Sequence, residues 1–243
     1  MTPAPSSDPA DGVAGGPAPE PAGGAGGGRP GPADGVAGGP ESGPAGGAAA
    51  GRVAGLVLAA GGGSRYGSPK ALVRLSGRLL VERAADLLAA GGCDPVLVVL
   101  GAAADEVLAT ARLARTVVNP DWPTGMGSSL RVGLAAVPAE AEAVVVTLVD
   151  TPGLGPESVR RLIAAGGPDG AAQATYGGRR GHPVLLGRTV ITEVAAAATG
   201  DRGAGPWLAA HPERVRLVPC DGTGDPRDVD VPDDLAAVVA GEE

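Results

Sequence analysis

An α/β fold, a single domain with a mostly parallel sheet flanked by helices, is predicted by three observations. From residue 52 onward, short apolar runs alternate with amphipathic helical stretches, the pattern of repeated βαβ units. The runs are Val-, Leu- and Ala-rich with almost no polar residues, as strands covered on both faces require. Phe is absent and aromatics make up only 2% of the chain, so aliphatic side chains must build the core.

The elements follow in order. Val53–Leu58 reads as the first strand, and Leu80, Ala84, Leu87 and Leu88 share one helical face. Val96–Leu100 is the second strand, followed by helical spacing at Leu130, Leu134 and Val137. Val144–Val149 is the third strand. The helix after it carries Val159, Leu162 and Ile163, with Pro156 at its start, where a missing N–H costs nothing. Val215–Val218 is the fourth strand, and Leu235, Val238 and Val239 mark a last helix. Ligands of such sheets bind beyond the carboxyl ends of the strands.

Two segments are expected. Residues 1–51 are almost wholly Ala, Gly, Pro and a few acids, with Val13 and Val36 as their bulky aliphatics. A nonapeptide, Pro-Ala-Asp-Gly-Val-Ala-Gly-Gly-Pro, occurs at 9–17 and again at 32–40. This composition buries too little apolar surface to offset ordering entropy, so a disordered tail is expected. Asp8, Asp11, Glu20, Asp34 and Glu41 against Arg29 give it half of the formal net charge of −8. Residues 52–243 form the folded domain.

Composition also excludes functions. The acidic balance argues against general nucleic-acid binding. No run reaches the roughly 18 apolar residues of a membrane helix. The N-terminus lacks the basic and apolar regions of a signal peptide, so a cytoplasmic setting is expected. Cys93 and Cys220 are far apart in the chain, so neither a disulfide nor a zinc site is expected.

Residues 58–70, Leu-Ala-Ala-Gly-Gly-Gly-Ser-Arg-Tyr-Gly-Ser-Pro-Lys, directly follow the first strand. Gly61, Gly62 and Gly63 let the backbone approach a ligand and aim N–H groups at an anion. Arg65 and Lys70 add two cations. The loop is not a P-loop, because Ala71 follows Lys70 where a hydroxyl is needed. Nor is it a dinucleotide loop, because Tyr66 stands at the third glycine position. A triphosphate that must release pyrophosphate suits it.

The string resembles the signature A-A-G-x-x-S-x-R-x-G-x-P-K of the molybdenum-cofactor nucleotidyltransferases, with Arg65, Gly67, Pro69 and Lys70 in place. The likeness continues in order. It runs through Asn119-Pro120-Asp121-Trp122, Gly125-Met126-Gly127-Ser128-Ser129-Leu130 and Leu148-Val149-Asp150-Thr151-Pro152. Gly181-His182-Pro183-Val184 and Asp228-Val229-Asp230-Val231-Pro232-Asp233-Asp234-Leu235 complete it. Thr151 replaces a usual glutamine and Val231 a usual threonine. The resemblance is to the cytidylyltransferases that act on molybdopterin. It implies a Rossmann-like domain of the nucleotide-diphospho-sugar transferase type, magnesium as cofactor, CTP or GTP with a molybdopterin-type acceptor, and a molybdoenzyme as recipient.

The resemblance also implies roles. Arg65 meets the β- and γ-phosphates and Lys70 the α-phosphate. Asp150 and Asp230 hold the metal, which prefers carboxylates, phosphates and water. Each has a plainer reading, Asp150 as a turn aspartate and Asp230 as part of an acidic helix start. Ala59, Ala60, Gly61 and Ser64 line the nucleotide. The Ala59-Ala60-Gly61 form points to CTP over GTP. Ser128 and Ser129 are either phosphate or ribose donors or an ordinary helix cap. His182 is either a structural hydrogen-bonder or faces the acceptor. Arg179 and Arg180 either contact the acceptor phosphate or are solvated. The expected reaction moves CMP from CTP to the molybdopterin phosphate. The alternatives are guanylyl transfer to molybdopterin or another small phosphate, and a non-catalytic cofactor-binding chaperone.

Overall fold

The structure is a computed structural model that describes residues 52–240. The segment expected to be disordered lies outside the described residues. Strand β1 (Val53–Ala59) is followed by a short hairpin, β2 (Arg74–Leu75) and β3 (Arg78–Leu79), and by helix α1 (Leu80–Ala90). Then come β4 (Val96–Leu100), α2 (Ala104–Thr110), β5 (Thr116–Val118) and α3 (Met126–Ala135). The chain continues through β6 (Ala143–Leu148), α4 (Pro156–Ala165), β7 (Ala171–Tyr176) and β8 (Arg179–Gly187). It closes with α5 (Ile191–Ala197), α6 (Gly205–Ala210), β9 (Val215–Pro219) and α7 (Pro232–Ala240).

Seven strands form one sheet in the order β5-β4-β1-β6-β8-β7-β9. All neighbouring pairs are parallel except the two that β8 makes with β6 and β7. The predicted mostly parallel sheet is therefore present, with one reversed strand. Its reversal comes from a tight turn at Gly177-Gly178, where φ is +56° and +75°. Two consecutive positive φ values suit a two-residue hairpin whose twist matches the strands.

The sheet is buried on both faces. Val57, Val98, Val145 and Leu185 join α1 and α4 residues such as Leu88 and Leu162 in one core layer. Leu56, Val99, Val144 and Leu186 join Leu130, Leu134, Val194 and Trp207 in the other. Each side chain of this kind contributes about 1.5–3 kcal/mol on burial.

Three expectations need correction. Strands β5, β7 and β8 were not foreseen: β5 is short, and β7 (AAQATY) is poor in β-branched residues. The third predicted strand sits one residue earlier, at Ala143–Leu148. Val137 lies beyond the end of α3 at Ala135, although it is buried.

Candidate active site

A cavity of about 360 Å³ opens beyond the carboxyl ends of β1 and β6, lined by the glycine loop, Lys70, Trp122, Ser129, Asp150 and Asp230. That volume suits a small-molecule ligand.

The glycine loop forms the floor. Gly63 has φ +64°, and a Cβ there would lie 1.8 Å from the Ser68 carbonyl oxygen, so only glycine fits. The Gly67 amide donates to the Gly63 carbonyl at 2.8 Å and closes the turn that carries Arg65. Tyr66 packs against the core, so the residue that spoils the dinucleotide fingerprint anchors the turn. Pro69 then leads into a single 3-10 turn at Lys70–Leu72.

Asp150 stands two residues past β6. The C-terminal segment is tied to the same corner by the backbone. Gly155 N donates to Thr223 O at 2.8 Å, Asp225 N to Gly153 O at 2.7 Å and Val229 N to Asp150 O at 2.8 Å. This lashing sets Asp230 beside Asp150. Asp234 accepts from the amides of Asp230 and Val231 at 2.8 and 2.9 Å. The acidic helix start and the site aspartate are thus neighbouring features, not rival readings.

Charge meets at Lys70. Its Nζ lies 2.9 Å from Asp150 Oδ2 and 2.7 Å from Asp230 Oδ1, and Arg65 donates to Asp230 Oδ2 at 2.5 Å. The Lys70 hydrogen bond, above all, holds the Asp230 carboxyl below its ordinary range. Burial works to lower the Lys70 pKa, but the hydrogen bonds it donates to Asp230 and Asp150, together with their charges, outweigh it and leave it raised. Asp228 is pushed up, first by burial and then by the Asp150 and Asp230 charges.

Among the described residues no group of three or more His, Cys, Asp or Glu could hold a metal ion by itself, but two carboxylates suit a divalent cation whose other ligands are phosphates and water. Asp150 Oδ1 is buried without a hydrogen-bond partner among the described residues. The cavity carries Asp150, Asp201 and Asp230 against Arg65 and Lys70, formally one negative charge. A triphosphate would be repelled unless a dication reversed that sign.

Other candidates lie differently. Ala59 is the buried end of β1 and does not line the cavity, whereas Ala60 does. Ser128 is buried and held by the loop: its Oγ lies 2.8 Å from Gly125 O and accepts from Asn119 Nδ2 at 2.9 Å. The serines do not cap α3, whose start at Gly125 has no side-chain cap. Ser129 touches the cavity but also accepts from Asn119, at 3.0 Å. His182 does not line the cavity. Its Nδ1 is buried and unpartnered among the described residues, and burial lowers its pKa against the opposing pull of Asp150. Arg179 and Arg180 are exposed at the β7–β8 hairpin, outside the cavity lining.

Three residues were missed as site elements. Asn119 is 1% exposed and links the loop before α3 to both serines. Trp122 covers Gly101, where a Cβ would come within 2.6 Å of the Trp122 Cβ and 2.7 Å of the Ala60 carbonyl. Its presence in the Asn-Pro-Asp-Trp string was the available signal. Asp201 reaches the cavity from the loop after α5 and has no local sequence pattern to announce it.

A glycine loop, paired cations and paired carboxylates meet at the carboxyl edge of a mostly parallel sheet, and the class this fold defines is that of the nucleotidyltransferases. The chain belongs to the family of the MobA-like NTP transferase domain, whose model matches residues 55–215. It is 42% identical over 188 residues to nicotine blue oxidoreductase of Paenarthrobacter nicotinovorans, covering 73% of this chain and 92% of that protein. It is 35% identical over 165 residues to a molybdenum cofactor guanylyltransferase of Cereibacter sphaeroides, covering 66% and 77%. Rv0371c of Mycobacterium tuberculosis H37Rv superposes with a TM-score of 0.68 at 34% identity, covering 79% of this chain and 99% of that one. The same protein has been solved in complex with manganese, which superposes at 0.65 and 33% identity over 78% and 98%. Among the described residues no helix is long and apolar enough to cross a membrane.

Proposed function

We propose that the protein is a magnesium-dependent cytidylyltransferase that moves CMP from CTP to the terminal phosphate of molybdopterin, releasing pyrophosphate. The observation that carries this reading is the meeting of Lys70 with Asp150 and Asp230 beside the glycine loop. Asp150 and Asp230 would hold magnesium, which supplies charge neutralisation on the triphosphate and the departing pyrophosphate. The acceptor phosphate oxygen attacks the α-phosphorus, and the bond to the bridging oxygen of the β-phosphate breaks. Lys70 serves the α-phosphate as a point charge, and Arg65 the outer phosphates as a fork. The acceptor is already ionised, so no protein base is required. Catalysis is positioning plus electrostatics.

CTP is preferred over GTP on the strength of Ala60. Ala60 lines the cavity, and a glycine there would leave room for the larger base. The guanylyltransferase relative keeps GTP as the alternative nucleotide. Retention of Arg65, Lys70, Asp150 and Asp230 argues against a non-catalytic cofactor chaperone. Arg179, Arg180 and His182 stay candidates for the acceptor side only if the acceptor extends beyond the cavity toward β8. The reaction is placed in the cytoplasm, where nucleotide and magnesium are supplied.

A second reading rests on the 42% identity to nicotine blue oxidoreductase, and is redox conversion of nicotine blue. The glycine loop runs into turns and not into a helix N-terminus, which disfavours dinucleotide binding there. One panel separates the readings. Pyrophosphate release is measured for four nucleoside triphosphates with and without molybdopterin, and absorbance of nicotine blue is followed with a reduced nicotinamide. Pyrophosphate formed only with acceptor and CTP or GTP supports transfer. Dye conversion without pyrophosphate release overturns it.

A further inference from the structure

Lys70 stands between the two carboxylates assigned to the metal. Its ammonium is 2.9 Å from Asp150 Oδ2 and 2.7 Å from Asp230 Oδ1, and its side chain is only 13% exposed. Arg65 takes the other oxygen of Asp230. Three carboxylate oxygens thus already face cations of the chain. The fourth, Asp150 Oδ1, is buried and unpartnered among the described residues.

A dication and an ammonium compete for the same oxygens. Like charges a few ångström apart repel, and more so where water is scarce. Two of the ammonium's three N–H donors are already given to carboxylates, so while they hold it a phosphate can receive at most one. Arg65 differs: its side chain is 76% exposed, so it swings away at little cost. Lys70 is the enclosed member, and freeing it without a new partner leaves a poorly solvated charge.

We propose that Lys70 is a specificity-determining exchange cation that makes this site take a divalent metal and a polyphosphate as one unit and resist either alone. This rests on the nucleotidyltransferase reading above. Metal arriving at Asp150 and Asp230 frees Lys70 for the phosphate. Polyphosphate drawing Lys70 away frees the carboxylates for metal. Each ligand removes the obstacle to the other, and the coupling is reciprocal. The selected ligand is a metal–triphosphate chelate, and free metal or free nucleotide competes poorly.

The test measures binding, not turnover. Free Mn²⁺ is titrated by electron paramagnetic resonance against the full chain, Lys70→Met and Lys70→Arg. Each protein is titrated with Mn²⁺ alone, with CTP and with inorganic tripolyphosphate. Chelation in solution is the same for every protein and cancels in the comparison. Lys70→Met is expected to bind Mn²⁺ alone at least about tenfold more tightly than the unaltered protein, because the competing cation is gone. Coupling constants in proteins commonly span about 5–150-fold. The enhancement of Mn²⁺ binding by CTP is expected in that range for the unaltered protein and at least about fivefold smaller for Lys70→Met. Lys70→Arg keeps the charge and is expected to keep weak binding of Mn²⁺ alone. Melting curves establish that each variant is folded, and Lys70→Gln replaces Lys70→Met if that one is not. Unchanged or weaker binding of Mn²⁺ alone by a folded, uncharged variant overturns the proposal. Failure of the transferase reading looks different: neither CTP nor tripolyphosphate alters Mn²⁺ binding in any protein, while the Mn²⁺-alone comparison still decides the role of Lys70.

Discussion

The Lys70 ammonium lies 2.9 Å from Asp150 Oδ2, although 80 residues separate them in the chain. The sheet makes the contact. Strands β1 and β6 pair in parallel, Leu58 opposite Leu148, so the loops leaving their carboxyl ends rise side by side. One loop brings the cations and the other the carboxylate. A ligand that bridges the two must carry negative charge toward Lys70 and positive charge toward Asp150, which describes a metal-chelated polyphosphate.

Asp150→Asn removes a charged oxygen donor at the strand tip and leaves Lys70 paired with Asp230. Pyrophosphate release is expected to fall by about 100-fold or more, the scale of losing one preorganised electrostatic group. The melting temperature is expected to stay within a few degrees. Turnover within a few-fold of the unaltered protein removes Asp150 from the metal site.

Nucleotide choice is expected to favour CTP over GTP by at least about tenfold in kcat/KM with molybdopterin as acceptor. That ratio corresponds to about 1.4 kcal/mol of differential transition-state stabilisation, within reach of one or two base contacts. Ala60→Gly is expected to narrow it. Equal use of both nucleotides leaves transfer standing and rejects the cytidylyl assignment.

Gly63→Ala places a methyl 1.8 Å from the Ser68 carbonyl at a residue with φ +64°. Backbone strain of this kind costs about 1–3 kcal/mol before the clash is added. The loop must rearrange, and Arg65 and Lys70 move with it. Calorimetry with CTP and magnesium is expected to show affinity reduced by about tenfold or more, the equivalent of at least about 1.4 kcal/mol. Gly167→Ala, outside the cavity lining and with nothing within 4 Å of a Cβ, is the control expected to bind normally.

Burial pushes the Cys93 thiol up from 9.0 to about 12. At neutral pH it is expected to resist thiol reagents in the native protein and to react once the protein is denatured. The sign for stability follows. Below pH 9.0 both states hold a neutral thiol. Between 9.0 and about 12 only the unfolded state ionises, so this burial contributes progressively less as pH rises. Rapid labelling of native Cys93 near pH 7 rejects the packed position.

A chain beginning at Arg52 is expected to keep its melting temperature and its activity. Residues 1–51 offer little apolar surface, and β1 begins at Val53. A drop of more than a few degrees on removal shows that they pack on the domain.

The sequence by itself determined the fold class, the strand that carries the glycine loop and most of the cavity's charged residues. Local chemistry was sufficient for the fold class, the loop, Arg65 and Lys70, whereas Asp150 and Asp230 rested on the family resemblance. Apolar runs separated by helical spacing define βαβ units, and three glycines followed by Arg65 and Lys70 are contiguous. Tertiary structure decided the rest. The β7–β8 hairpin escaped because β7 is alanine-rich and β8 opens on Arg-Arg-Gly-His-Pro, both weak strand signals, and its Gly177-Gly178 turn is legible only once both flanks are known to pair. Ser128 was buried against Asn119 while Ser129 also reached the cavity, and His182 was set outside the cavity lining. Trp122 joined it from a string whose likeness was legible but whose place in the cavity was not, and Asp201 from a loop with no sequence pattern. Which cation meets which carboxylate depends on backbone hydrogen bonds such as Val229 N to Asp150 O. Such long-range pairings leave no mark in the local order of residues, because their energy exists only after the chain has closed the loop between them.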